Sequence, residues 1–327
     1  MQSSRVVRWG LLGPGVIAHT FARDIAFADN AELHAVASRS LSRAQGFAQQ
    51  YGIARAYGNY QQLYQDPAID AIYIATPHTL HLQQTLHGIA AGKSVLCEKP
   101  LTVSSRECEQ IICAAANAAV TVVEGMWTLF LPAVQQAAQW LAQGRIGALQ
   151  QVHSSFGYPF DYDPQARAFN ASLGGGCLLD MGIYPLALAW QFIGQRPQQI
   201  DAVARYAANG VENDVAMVLD YGAVSASLAT SFTARLPNTT YLAGSAGYIA
   251  IPDSFRASEC YLFQGDREVD CFKDARRGSG FEYQIRAVSD SILTGERESA
   301  TIPLAHSLEL QQQMERVRQA YAAPRTA

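Results

Sequence analysis

Gly10-Leu11-Leu12-Gly13-Pro14-Gly15-Val16-Ile17-Ala18 is the stretch that decides the fold. An apolar run at 6–12 leads into it, and a helical pattern over 16–28 leads out. Within it, Gly13-x-Gly15-x-x-Ala18 has the spacing of a dinucleotide-binding turn. Gly13 permits the tight turn after a strand, Gly15 lets the backbone approach a pyrophosphate, and Ala18 keeps helix and strand close. The helix start at Val16 and Ile17 offers free N–H groups and the positive end of a helix dipole. Gly13, Gly15, Val16 and Ile17 are therefore the candidate pyrophosphate contacts. A glycine pattern alone is a weak signal; the flanking strand and helix give it weight.

Working outward, the alternation continues. Strand patterns at 32–38, 71–75, 94–97 and 120–124 alternate with helical patterns at 41–51, 79–91 and 104–118. Buried apolar strands between amphipathic helices specify βαβ units and a parallel sheet. After residue 125 the texture changes. A helix at 132–143 precedes β-like stretches at 149–156, 200–206, 215–221, 223–232, 239–251 and 261–263. Several alternate polar and apolar residues, which suits a mostly antiparallel sheet with one open face. A long helix entered through flexible glycines is expected at 176–193, and late helices at 283–293 and 304–320. The fold class is α/β. An N-terminal Rossmann domain with a doubly wound parallel sheet is expected over 1–125. A C-terminal α/β domain with a large, mostly antiparallel open sheet is expected over 126–327, its last helix free to pack back on the first domain.

A chain of 327 residues is long for one domain and comfortable for two. Its 49% hydrophobic and 16% charged residues describe an ordinary globular protein. A net charge of −4 gives no reason to expect nucleic acid or an anionic membrane as partner. No window approaches the roughly 18 uninterrupted apolar residues of a membrane span. Met1-Gln2-Ser3-Ser4-Arg5 runs straight into a strand without an apolar leader. Cys97, Cys108, Cys113, Cys177, Cys260 and Cys271 form neither a Cys-x-x-Cys pair nor a zinc-type cluster. They are expected to be reduced and mostly buried, in a cytoplasmic protein without a metal site.

The end of the second strand should choose the cofactor. A carboxylate there holds the ribose 2′-hydroxyl of NAD. This chain reads Ala37-Ser38-Arg39-Ser40-Leu41-Ser42-Arg43, with no carboxylate. Arg39 and Arg43, four apart at a helix start, can grip a 2′-phosphate, and Ser38 can add a hydroxyl. The reading is NADP(H) in preference to NAD(H). Thr76-Pro77-His78 follows the third long strand pattern, where such sheets lay a loop along the nicotinamide ribose.

Glu98-Lys99-Pro100 ends the strand pattern Ser94-Val95-Leu96-Cys97. The chain has only three lysines, Lys93, Lys99 and Lys273, and Lys99 stands where doubly wound sheets place ligands. Glu98 and Lys99 join the cofactor-contact candidates. A second constellation is Gly174-Gly175-Gly176-Cys177-Leu178-Leu179-Asp180-Met181-Gly182-Ile183-Tyr184. Asp180 and Tyr184 are four apart and share one helical face. Beside Lys99 they make a hydroxyl-oxidation site. Tyr184 passes the substrate proton, its acidity raised by the lysine, and Asp180 holds a neighbouring hydroxyl.

Together with Gly92-Lys93-Ser94-Val95-Leu96-Cys97-Glu98-Lys99-Pro100 and the Leu242-Ala243-Gly244-Ser245-Ala246-Gly247 turn, these motifs resemble the glucose–fructose oxidoreductase/inositol dehydrogenase (Gfo/Idh/MocA) family. Glu124-Gly125-Met126-Trp127-Thr128-Leu129-Phe130-Leu131-Pro132 and Leu179–Tyr184 look like its dimeric dihydrodiol dehydrogenase/D-xylose 1-dehydrogenase (NADP) branch. The resemblance implies Lys99, Asp180 and Tyr184 as catalytic residues. It implies Trp127, Phe130, Phe156 and Asp180 around a pocket for a carbohydrate or diol, and a homodimer through the C-terminal sheet. Inositol dehydrogenases carry a His where Tyr184 stands. The expected activity is NADP-dependent hydride transfer between nicotinamide and a hydroxyl of an aldopyranose such as D-xylose, or of a trans-dihydrodiol. Reduction of an anhydrofructose-type keto-sugar and a non-catalytic NADP-sensing role are the alternatives.

Overall fold

The structure is a computed structural model and describes residues 5–322; the expectations for the first four residues and for 323–327 lie outside the described residues. By internal contacts the chain divides into two compact units. One holds the residues up to Trp127 together with Arg276–Leu308, the other Thr128–Ala275 together with the residues from Glu309 on. The sequence pattern places a single cut near 125. The compact units are discontinuous, because the stretch at 276–308 groups with the first.

The first unit is built on β1 (Val7–Leu12), β2 (Ala31–Ala37), β3 (Arg55–Tyr57), β4 (Ala71–Ile74), β5 (Ser94–Glu98) and β6 (Val122–Gly125). They form one sheet in the order β3-β2-β1-β4-β5-β6, every neighbouring pair parallel. That order is the doubly wound one, with its reversal between β1 and β4. Every residue of β4 and β5 is buried, as strands covered on both faces require. The connections are α1 (Val16–Asp24), α2 (Leu41–Tyr51), α3 (Tyr60–Gln65), α4 (His81–Ala90) and α5 (Ser105–Ala116). Ser40, Asn59 and Ser104 cap α2, α3 and α5 by accepting a backbone N–H three residues on. One core cluster holds Leu12, Ile72, Ile74, Val95, Cys97 and Ile111. Trp9, Phe21 and Tyr73 pack together in the same unit, Phe21 stacking on Tyr73 at 3.9 Å.

In the second unit α6 (Pro132–Ala142) and α7 (Ile183–Ile193) pack on a sheet of eight strands. These are β7 (Leu149–Gly157), β8 (Gln199–Tyr206), β9 (Glu212–Asp220), β10 (Ser225–Ser231), β11 (Thr240–Gly244), β12 (Gly247–Ile251), β13 (Glu259–Gln264) and β14 (Arg267–Lys273). Their order is β14-β13-β12-β11-β7-β10-β9-β8, antiparallel throughout except for β7 beside β10. The stretch at 239–251 is two strands, the chain turning back at Ser245-Ala246 within the Leu242–Gly247 turn read from the sequence. The remaining helices are α8 (Phe281–Thr294), which packs on α1, β1 and β2, and α9 (Leu304–Ala322).

Among the described residues one helical stretch, Ala171–Ile193, is long and apolar enough to cross a membrane by length and composition. Its apolar window is 83% buried within the protein, as a core helix must be. All six cysteines are free, and four of them are buried.

Ile72 lies at the centre of the parallel sheet with no exposed surface. Ile72→Ala is expected to cost about 2–5 kcal/mol of stability through lost burial and the cavity left behind. Urea unfolding followed by circular dichroism measures it; a loss under about 1 kcal/mol contradicts the packing described.

Candidate active site

In the first unit the glycine turn has the conformation its sequence requires. Gly13 sits at φ +84°, and a Cβ there would lie 2.7 Å from Thr76 Cγ2. Gly15 precedes α1, and no side chain caps the helix. The N–H groups of the first turn are left for a ligand, and Val16 is 91% exposed at its tip. A dinucleotide pyrophosphate fits this bare helix end beside a turn with no side chain.

At the end of β2, Ser38 is buried, and its hydroxyl accepts the Ser40 N–H at 3.3 Å. Arg39 and Arg43 are exposed, and both cations act on the half-buried Tyr60 phenol. Burial raises the pKa of that phenol and the two guanidinium groups oppose the shift. Among the described residues neither arginine is paired with a carboxylate. Two such guanidinium groups could hold a dianion.

The Thr76-Pro77-His78 loop leaves β4 at the same edge of the sheet. Thr76 and His78 are buried, and Thr76 Oγ1 bonds Gln84. His81, which no motif marks, holds the loop. Its Nε2 lies 2.9 Å from the Thr76 carbonyl and its Nδ1 2.8 Å from the Pro100 carbonyl. The tautomer decides which of the two carbonyls receives the ring N–H. The Thr76 loop and the Lys99-Pro100 turn, joined by a cis peptide, are thereby tied together. Lys99 is half-buried at the end of β5. Glu98 points into the sheet, where its Oε1 accepts the Tyr73 hydroxyl at 2.6 Å. Trp127 packs against Phe281 in this unit, with ring centres 4.9 Å apart.

In the second unit the glycine run is a close crossing, not the flexible entry expected. Gly176 sits at φ +123°, and a Cβ there would run into the Glu212 carboxylate. Residues Leu178–Gly182 form a π-helical turn before α7 begins. Asp180 and Tyr184 are therefore related through a wide turn, not the regular helix their spacing suggests. Both are buried. Arg167 donates to Asp180 Oδ2 at 2.9 Å as an ion pair. Tyr184 meets Phe156 edge-on at 5.1 Å, and Phe156 stacks on Phe255 at 4.3 Å. Phe130 is buried in the same unit.

The structure thus gathers Gly13, Gly15, Thr76, Pro77, His78 and Lys99 at one edge of the parallel sheet. It gathers Asp180, Tyr184 and Phe156 in the second unit. Arg167 and Phe255 complete the second group. Arg167 lies in the irregular stretch between β7 and the glycine run, and Phe255 in a short segment after β12, neither with a periodic signal. Among the described residues no group of three or more His, Cys, Asp or Glu could hold a metal ion.

Residues 7–126 match the model of an oxidoreductase family with an NAD-binding Rossmann fold, and residues 134–250 match the GFO/IDH/MocA C-terminal domain. The chain is 36% identical over 323 residues to trans-1,2-dihydrobenzene-1,2-diol dehydrogenase of Mus musculus, covering 96% of both chains. It is 34% identical over 326 residues to the enzyme of the same name from Homo sapiens, again covering 96% of both. Among solved structures, aldose-aldose oxidoreductase from Caulobacter crescentus superposes with a TM-score of 0.90 at 24% identity, over 97% of this chain and 98% of that one. A 3-ketoreductase from Actinomadura kijaniata in complex with NADP and TDP-benzene superposes with a TM-score of 0.86 at 27% identity, with the same coverage. With both halves matched and relatives aligned over nearly its whole length, the chain belongs to the GFO/IDH/MocA family of oxidoreductases.

Proposed function

We propose that this oxidoreductase uses NADP(H) to transfer a hydride to or from a hydroxyl-bearing carbon of a trans-dihydrodiol or of an aldopyranose such as D-xylose. One observation carries the reading. The glycine turn, the Thr76 loop and the Lys99 turn are held at a single sheet edge, the last two by one histidine. The dihydrodiol dehydrogenase names of the relatives favour a vicinal diol. The NADP bound to the 3-ketoreductase and the unpaired Arg39 and Arg43 favour the phosphorylated cofactor.

Gly13, Gly15, Val16 and Ile17 would hold the pyrophosphate, Arg39 and Arg43 the 2′-phosphate, and Thr76, Pro77 and His78 the ribose side. The nicotinamide, when bound, supplies the two-electron acceptor or donor. In oxidation Tyr184 takes the hydroxyl proton, the carbinol C–H bond breaks with its electron pair leaving as hydride, and the carbon–oxygen double bond forms. Lys99 supplies a positive charge that favours the developing alkoxide. Asp180, held by Arg167, accepts a hydrogen bond from a neighbouring substrate hydroxyl. The same groups run in reverse for a keto-sugar, so the cofactor ratio sets the direction.

The eight-stranded sheet suits a homodimer. One face carries Val152, Met217, Leu228 and Leu242, all buried. The other carries the cross-strand row Asp201, Val218, Ser227, His153 and Tyr241, and a shallow cavity of about 780 Å³ opens along it. Val203, Val218 and Tyr241 are 45, 51 and 44% exposed there. A second copy of this sheet is the self-complementary cover. The free thiols suit a cytoplasmic setting.

A spectrophotometric screen tests the reading first, following nicotinamide absorbance with NADP⁺ or NAD⁺ against trans-1,2-dihydrobenzene-1,2-diol, D-xylose, D-glucose and inositols. Turnover with NADP⁺ and a diol or aldose is expected. NADP⁺ binding without turnover of any of them favours the keto-sugar or sensor alternative. Lys99→Ala is expected to lower kcat at least about 100-fold while NADP⁺ binding persists, in line with loss of a charge at the reacting centre; unchanged turnover removes Lys99 from the chemistry. Replacing Arg39 and Arg43 by Ala should reduce the NADP⁺ over NAD⁺ preference in kcat/KM by about tenfold or more. An unaltered ratio places the 2′-phosphate elsewhere. Val218→Glu is expected to yield monomers in light scattering, and a wild type that is itself monomeric across micromolar concentrations removes the dimer.

A further inference from the structure

We propose that Glu124, at the end of β6, is a positioning residue for Lys99: it fixes the Lys99-Pro100-Leu101 turn through the Leu101 N–H and supplies a buried negative charge that balances the lysine. The inference rests on the reading of Lys99 as catalytic.

The geometry begins with strand register. β6 pairs with β5 so that Glu124 lies opposite Cys97, two residues before Lys99. Glu124 is 1% exposed, and its Oε1 accepts the Leu101 N–H at 2.8 Å. His81 holds the Pro100 carbonyl of the same turn. One histidine and one carboxylate therefore hold the two ends of the single Pro100–Leu101 peptide group, and the lysine enters the site from a rigid base.

The hydrogen bond alone does not explain an acid. Gln at this position has the same shape and keeps an oxygen acceptor for Leu101 without burying a charge. The groups facing Glu124 are Cys97 and Glu98 on β5, Lys99 beyond its end, Cys108 on α5 and Ser307 on α9. Glu98 opposes ionisation of Glu124 and Lys99 favours it. Lys99 is the one cation among these groups. Oε2 and the Ser307 hydroxyl lie close to one another, outside hydrogen-bond geometry, and each is unpartnered among the described residues. A buried carboxyl in this state costs stability.

Burial raises the Glu124 carboxyl from 4.5 to about 7, against the opposing effects of the nearby Ser307 hydroxyl and the Leu101 N–H. A raised folded-state value means the native protein binds the proton more tightly than the unfolded chain. Stability from this group is present below the unfolded value and is lost as pH rises through the folded one. Above about pH 7 the protein carries an ionised Glu124 at the expense of stability, in the range where a charged partner for Lys99 is useful.

The experiment compares the wild type with Glu124→Gln as full-length proteins, using NADP⁺ and the substrate found by the screen. The variant is expected to unfold at a higher temperature than the wild type at pH 8 and at a similar one at pH 5. Its NADP⁺ Kd and substrate KM should stay within about twofold, and its kcat at pH 8 should fall at least about fivefold, the pattern of an interaction made in the transition state. The wild-type acid limb of kcat near neutral pH should be absent from the variant. A Glu124→Gln enzyme with wild-type kcat and pH profile overturns the proposal. A second reading is independent of that variant's folding. With ¹³C-carboxyl-labelled glutamate, the Glu124 resonance should titrate higher in Lys99→Met than in the wild type, because coupling between two charges is reciprocal. An unchanged midpoint disconnects the two residues and overturns the proposal. Full turnover by Lys99→Met instead overturns the reading of Lys99 itself, whatever the resonance does.

Discussion

The first unit's candidate site hangs on a single imidazole. His81 stands at the start of α4, five residues beyond Thr76, and bonds that residue's carbonyl through one ring nitrogen. Through the other it bonds Pro100, one residue past Lys99. The order of the parallel sheet makes this possible. β4 and β5 are neighbours that run the same way and end at the same edge, so the loops leaving them lie side by side. The glycine turn after β1 joins them because β1 borders β4 on its other flank. The Thr76 loop and the Lys99 turn are thus coupled by register and by a side chain with no exposed surface. No flexible group intervenes.

The second unit solves a different problem. It must present a carboxylate and a phenol from a helix lodged in the core, where an unpaired charge is costly. Arg167 meets Asp180, and the π-helical turn shifts Asp180 relative to Tyr184 without breaking the helix. Wide turns of this kind recur where function has displaced a regular helix. The close packing of Gly176 on Glu212 brings the helix start against β9, so the approach is made by removing side chains. The sheet beneath divides its labour by alternation. The buried face includes Val152, Met217, Leu228 and Leu242, while the other includes Ser227, Ala216 and Ala229. Small side chains give that face the flatness a second sheet can lie on.

What the sequence made legible was local. Gly13-x-Gly15-x-x-Ala18 announces itself because strand, turn and helix sit within a dozen residues. Glu98-Lys99-Pro100 does so because a buried strand stops at a charged pair. What it hid was short or distant. β3 has three residues and no pattern of its own; Arg55 and Tyr57 are held by Asp66, across a helix the periodicity also missed. The association of 276–308 with the Rossmann unit depends on Trp9 donating to Ser289 and on Asp24 accepting the Phe281 N–H, contacts that span about 250 to 280 residues. The wide turn at 178–182 has no sequence signature, so the spacing of Asp180 and Tyr184 reads as an ordinary helix. Phe255 belongs to the aromatic group only because β12 brings it back beside β7. Residue chemistry is legible before geometry, and geometry fails first where partners are far apart.

Three buried carboxylates of the first unit show how structure and function can be told apart. Burial would raise the Asp66 carboxyl, but Arg55, the Ala68 N–H and Tyr57 all donate to it and hold it below the usual range. Its charge is satisfied, and it ties β3 to the connection that follows. Glu98 is met by the Tyr73 hydroxyl within the sheet. Glu124 alone keeps an oxygen without a hydrogen-bond partner, and there burial prevails over the available donors. If stability were the only demand, the first two arrangements would be the rule and the third would be replaced by an amide. The exception stands two residues from the lysine in strand register, on the side of the turn that His81 does not hold. Glu212 and Glu282 are raised by burial as well, so what sets Glu124 apart is its place beside the lysine turn.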